Sequence, residues 1–277
     1  MEKNRVRPQI WIGLGAVAVY VVFAAVLGNA LGALAGPDDP TREFALSHLI
    51  PLPIAILLGL LLVHRAGWSG RVWREQPTPE MTPRRLWLVA IPLLAVLVPL
   101  GQVFTIPWAE RALDVILIIA VGTLLVGLGE ELYLRGILLV TVRERHGELV
   151  VMLVTASVFA LAHIVGSLWH AVPPAVIAFQ VSFLFLTGIV YYWVRRVSGR
   201  LWVAVLVHAF TDFVLYLGSA AGNPSEALAT SADTGNPVTV VAQILLIVAV
   251  LLSIVSVIRE DLRNRRAARE APESAPS

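Results

Sequence analysis

Glu130, Glu131 and Arg135 stand together in a run, 115–139, that is otherwise apolar enough to face lipid. One charge near the centre of a membrane-spanning helix costs about 2.5–3.5 kcal/mol on insertion scales, so clustered charges are kept only where they are partnered or used. On a helix Glu131 and Arg135 are four positions apart with the acid first, the favourable order for an ion pair that neutralises both. Glu130 points about 100° away around the helix and finds no cation at that spacing. It is the carboxylate left over, a candidate general base or acid.

Two later apolar runs add imidazoles. Phe159 and His163 share a helix face, so the ring can wall one side of the histidine and help exclude water. His208 and Asp212 are also four apart on one face, where Asp212 can orient the imidazole or both can point into a cavity. His48, His64, His146 and His170 fall at span ends or in loops, where a solvated ring needs no special role.

These residues need elements to hold them in the membrane. With 57% hydrophobic and 14% charged residues and a mean hydropathy of +0.79, the chain is far from a soluble domain, whose charged share is about 25%. Eight stretches reach spanning length: 10–35, 46–63, 86–106, 115–140, 149–169, 175–194, 201–218 and 238–258. Continuous apolar runs read as helices, because a barrel would alternate, so the expected fold is an all-α polytopic membrane protein. With the N-terminus in the cytoplasm, 18 of the 21 Lys and Arg residues fall on the inner side, leaving Arg42 and Arg111 outside and Arg135 within a span. That split supports eight spans with both termini cytoplasmic.

The remaining features are organised around this bundle. Residues 1–258 read as one membrane-embedded domain and 259–277 as a cytoplasmic tail, basic at first and then too rich in Pro, Ser and Glu to form a core. The inner loop 68–84 has the Trp and Arg content of an interfacial segment, and the outer loop 217–237 has the composition of a flexible one. Ala33-Leu34-Ala35 looks like a cleavage site, but the run before it is far longer than the 7–15 residues of a secretory signal, so an uncleaved first helix is expected. The net charge of +2 reflects topological arginines that favour anionic headgroups, and no nucleic-acid partner is expected. The absence of cysteine excludes disulfides and thiolate metal sites.

The motifs Glu130-Glu131-Leu132-Tyr133-Leu134-Arg135, Phe159-Ala160-Leu161-Ala162-His163 and His208-Ala209-Phe210-Thr211-Asp212, on successive helices, resemble the family of CAAX proteases and bacteriocin-processing or immunity proteins (CPBP, Abi-type). The resemblance covers about 111–218. It implies an integral membrane endopeptidase in which Glu130, helped by His163, activates water while His208 and Asp212 steady the oxyanion. Glu131, Arg135 and Phe159 take supporting positions. Family members with Asn at the last motif position carry an amide donor, whereas Asp212 donates only when protonated. The family is often called metalloproteases, and zinc or another divalent metal on Glu130, His163 and His208 would leave one open position, although no His-Glu-x-x-His helix is present.

The expected partners are the lipid bilayer and a membrane-associated peptide or protein substrate. Arginine in preference to lysine, with compact loops, points to a bacterial plasma membrane and away from prenyl recognition. Counting about 1.5 Å per residue from the inner span ends puts His208 roughly 10 Å deep and His163 roughly 20 Å, which favours a cavity reached from the cytoplasmic side. Two other classes stay open on these residues: a catalytically silent accessory or immunity protein, and a proton-coupled transporter. The transporter is disfavoured by the lack of repeat halves and broken-helix pairs.

Overall fold

The computed structural model describes residues 5–36, 38–219 and 236–270. Among these the chain forms eight helices long and apolar enough to cross a membrane: α1 (Ile10–Ala35), α2 (Pro40–Ala66), α3 (Leu86–Val103), α4 (Leu113–Arg143), α5 (Glu148–Trp169), α6 (Pro174–Ser198), α7 (Leu201–Gly218) and α8 (Pro237–Glu270). The sequence reading holds for the all-α class and the number of spans. Two ends differ. α2 begins at Pro40 because Asp39 accepts from the Arg42 N–H at 2.9 Å and proline suits the first turn. α8 continues to Glu270, so the first part of the 259–277 tail is helical. The rest of that tail and residues 220–235 of loop 217–237 lie outside the described residues.

Several helices depart from regular α geometry: α2 is interrupted at Ile50 and α3 opens with a 3-10 turn over Leu86–Val89, and three further departures lie in the helices that carry polar site residues. Val22–Leu27 of α1 and Leu132–Leu138 of α4 are π-helical, a distortion that is frequent at functional sites. α5 breaks at His163, with Glu148–Ala162 before it and Ile164–Trp169 after it.

Close approach of the helices depends on small residues. A Cβ on Gly127 of α4 would stand 2.8 Å from the Val205 carbonyl oxygen of α7, and one on Gly188 of α6 would stand 2.8 Å from Ala156 Cα of α5. Without these side chains the backbones pack in direct contact, as is usual where apolar lipid supplies no hydrophobic drive between helices.

One end of the bundle is closed by interlocked charges. Glu75 pairs with Arg143 and Arg195 at 2.9 Å each, Glu260 pairs with Arg85 at 2.7 Å and Arg196 at 2.9 Å, and Glu144 takes Arg71 at 2.9 Å and Arg7 at 3.7 Å. Asp261 of α8 accepts from the Glu148 and Leu149 N–H groups and so caps α5. The arginines assigned to one side of the membrane thus meet at one end of the fold, while Arg111 donates to Leu217 and Ser219 carbonyls at the other. Loop 68–84 is tied into this network through Glu75, and its Trp68 and Val72 are fully buried. It is more firmly held by protein than an interfacial segment needs to be.

Candidate active site

The crossing of α4 and α7 at Gly127 and Val205 sets the site. One turn further along each helix, Glu131 and His208 meet with Nδ1 of the imidazole 3.0 Å from Oε1 of the carboxylate. The same oxygen receives Nη1 of Arg135 at 2.9 Å, and both Glu131 and Arg135 have no exposed side-chain surface. The ion pair expected from spacing is therefore present, and it also holds a histidine. Arg135 is fixed further by the Gly188 carbonyl, which accepts from Nη2 at 3.0 Å. Its guanidinium lies 4.5 Å from the Phe159 ring centroid and 5.4 Å from that of Tyr191.

Phe159 walls His163 as the helix face implied, edge-on at 4.9 Å between centroids. Its carbonyl also sits 2.8 Å from His163 Nδ1. A carbonyl only accepts, so Nδ1 carries the proton and Nε2 is left as an acceptor toward the cavity. His208 is stacked on Tyr191 at 4.3 Å and 16°, which fixes the plane of its ring.

With Nδ1 on Glu131, His208 presents Nε2 to two more carboxyl groups, Asp212 at 3.5 Å and Glu130 at 3.9 Å. The strongest orienting contact on His208 thus comes from Glu131 rather than from Asp212 on its own helix. Glu130 Oε2 is buried without a hydrogen-bond partner among the described residues, and so is the hydroxyl of Tyr20. Tyr20 reaches the site from α1 because Gly129 has no side chain: a Cβ there would stand 2.7 Å from the phenol ring. Its ring also packs on Tyr133 at 4.9 Å, and the Tyr133 hydroxyl is anchored on the Ala55 carbonyl at 2.7 Å.

Tyr20, Glu130, His163, His208 and Asp212 line a single cavity of about 900 Å³. Among the histidines given no role from the sequence, His48 and His170 line it as well. Tyr20 and Tyr191 were not legible as site residues, since neither has a carboxylate or imidazole partner at helical spacing in its own apolar run. Among the described residues no group of three or more His, Asp or Glu is spaced to hold a metal ion.

The direction of the cavity corrects one expectation. Val17, Tyr191 and His208, the lining residues nearest the arginine-rich end, each lie seven residues inside their helices, counted from Ile10, Ser198 and Leu201. At the opposite end Gly32, Pro40, Gln102, His170 and Thr239 bring the lining to the helix ends themselves. Depth counted from the arginine-rich span ends favoured access from that end; the lining instead reaches the opposite helix ends, and the ion-pair network lies at the arginine-rich end.

Residues 112–214 match the family model described as type II CAAX prenyl endopeptidase Rce1-like. The matched segment is a little over a third of the chain and carries all three motifs. No curated protein and no solved structure matches. The family match agrees with the resemblance read from the motifs, and it supports an integral membrane protease of CAAX type, acting on a peptide or protein substrate.

Proposed function

We propose that this chain is an intramembrane endopeptidase that hydrolyses a peptide bond of a membrane-associated protein or peptide, with Glu130 as the base that activates water. The observation that carries this reading is the Glu130 carboxylate itself. Its Oε2 is buried, has no hydrogen-bond partner among the described residues, lies 3.9 Å from His208 Nε2, and belongs to a residue on the wall of the cavity. Its neighbour Glu131 also has an orphan Oε2, but it is not among the lining residues and is committed through Oε1 to Arg135 and His208. A buried acceptor with nothing to accept from is costly unless a water or substrate supplies the proton.

Glu130, with the free Nε2 of His163, takes a proton from a cavity water as its oxygen bonds to the scissile carbonyl carbon. The carbonyl electron pair moves onto oxygen. A proton shared between His208 Nε2 and Asp212, or the Tyr20 hydroxyl, is donated in a hydrogen bond to that oxyanion. When the intermediate collapses, the C–N bond breaks and the proton taken by Glu130 passes to the leaving amine. Glu131 and Arg135 do not touch the substrate in this scheme; they hold His208 in the orientation that exposes Nε2.

The test is purification in detergent and assay against a peptide library, with products read by mass spectrometry and bound metal measured on the same sample. New peptide ends produced by the native protein and lost in Glu130→Gln are the expected result. A pure, folded protein that cleaves nothing would favour the silent-accessory reading.

A further inference from the structure

The arginines and the cavity lie at opposite ends of the bundle, and together they say from which side a substrate reaches the site. Among the described residues, 17 of the 20 arginines belong to the segments at the end that the ion pairs of Glu75, Glu144 and Glu260 close. Positively charged short loops stay in the cytoplasm, and this bias counts Lys and Arg rather than net charge, so partner carboxylates do not weaken it. In α1, α6 and α7, where the lining comes nearest, seven residues, about 10 Å at roughly 1.5 Å per residue, separate it from that end. At the other end the lining runs out to Gly32, Pro40, His170 and Thr239.

We propose that the site is served from the non-cytoplasmic side, and that its substrates are peptides anchored in or at the outer leaflet rather than tails presented in the cytoplasm. The outer half of the cavity suits a neutral, extended peptide. Asn29, Gln102 and Gln243 line it among apolar side chains, and each amide offers both a donor and an acceptor to a peptide backbone. Cytoplasmic substrates, including any lipid-modified C-terminal tail made there, meet the closed end. This inference rests on the protease reading for the word substrate, but the side to which the cavity opens is independent of catalysis.

The chain has no cysteine, so single thiols report position without background. Asn29→Cys and Gln243→Cys place one in the outer half of the cavity, outside the groups assigned to the reaction. Asn264→Cys places one on the exposed arginine-rich extension of α8 as the control. Each full-length variant is expressed in a bacterial host, and spheroplasts are treated with a charged, membrane-impermeant maleimide before and after permeabilisation. The expected result is labelling of Asn29→Cys and Gln243→Cys in intact spheroplasts, with Asn264→Cys labelled only after permeabilisation. The absence of external labelling at both cavity positions, whether or not permeabilisation restores it, overturns the proposal, as does external labelling of Asn264→Cys. Labelling repeated in a Glu130→Gln background is unchanged, so failure of the protease reading would leave this result standing. Conversely, peptide hydrolysis by purified protein stands even if the labelling pattern is reversed.

Discussion

His208 Nδ1 and Arg135 Nη1 converge on one oxygen of Glu131, at 3.0 and 2.9 Å. Two helices are thus joined through a carboxylate that has no exposed surface, and the second of the paired glutamates becomes the hub of the site rather than a simple counter-ion. Glu131→Gln removes the charge while keeping the shape, which strands Arg135 and releases His208. Breaking a buried ion pair from one side costs about 3–5 kcal/mol. A clear drop in the thermal midpoint of the detergent-solubilised protein, with low yield, is expected. A Glu131→Gln protein with native melting behaviour would show that the pair is not holding the fold.

Tyr20→Phe separates chemistry from folding. The hydroxyl has no hydrogen-bond partner among the described residues, so its loss leaves packing on Tyr133 intact. As one donor to a developing oxyanion it is worth about 10²–10³ in kcat. Turnover should fall within that range with unchanged thermal stability and little change in KM. Unchanged kcat would remove Tyr20 from the reaction.

Gly127→Ala tests the crossing that brings the polar residues together. The added Cβ meets the Val205 carbonyl at 2.8 Å and the Ala209 nitrogen at 2.9 Å, both backbone atoms that cannot swing aside. Overpacking of this kind costs about 1–3 kcal/mol. Forcing α4 from α7 lengthens the Glu131–His208 contact, so activity should fall by more than stability alone explains. Native activity at reduced stability would mean that the contact is not needed for turnover.

The elements could be read in advance, and their meeting could not. Apolar run length and the distribution of arginine were enough for eight helices, and spacing alone was enough for the Glu131–Arg135 pair, because both are properties of a single helix or loop. The Glu131–His208 bond depends on two glycine-permitted crossings and on a π-helical segment that begins just after Glu131. None of these leaves a periodic signal. Tyr20 was invisible for the same reason: it reaches the site only because Gly129 of another helix makes room. The direction of the cavity was misjudged because residue depth says how far a side chain lies from an end, not which end is sealed. That depended on Glu75, Glu148, Glu260 and Asp261 finding arginines and helix ends across the bundle.

Asp212→Asn distinguishes direct water activation from metal catalysis. If Asp212 acts as a protonated donor beside His208 Nε2, 3.5 Å away, the amide keeps a donor and much of the activity. It also extends activity to alkaline pH, where a carboxyl at this position would ionise and repel an oxyanion. The pH–rate profile checks this, with chelator treatment in parallel. Activity erased by a chelator and restored by zinc, together with an inactive Asp212→Asn protein, would favour a metal-dependent reaction instead.

The most direct measurement compares peptide hydrolysis by native and Glu130→Gln protein, each purified in detergent and shown to be folded by its melting transition. Glu130 Oε2 has no hydrogen-bond partner among the described residues, so the amide should disturb packing little while removing the base. The account predicts native thermal stability with turnover reduced to background. A well-folded Glu130→Gln protein that still cleaves peptide would contradict it.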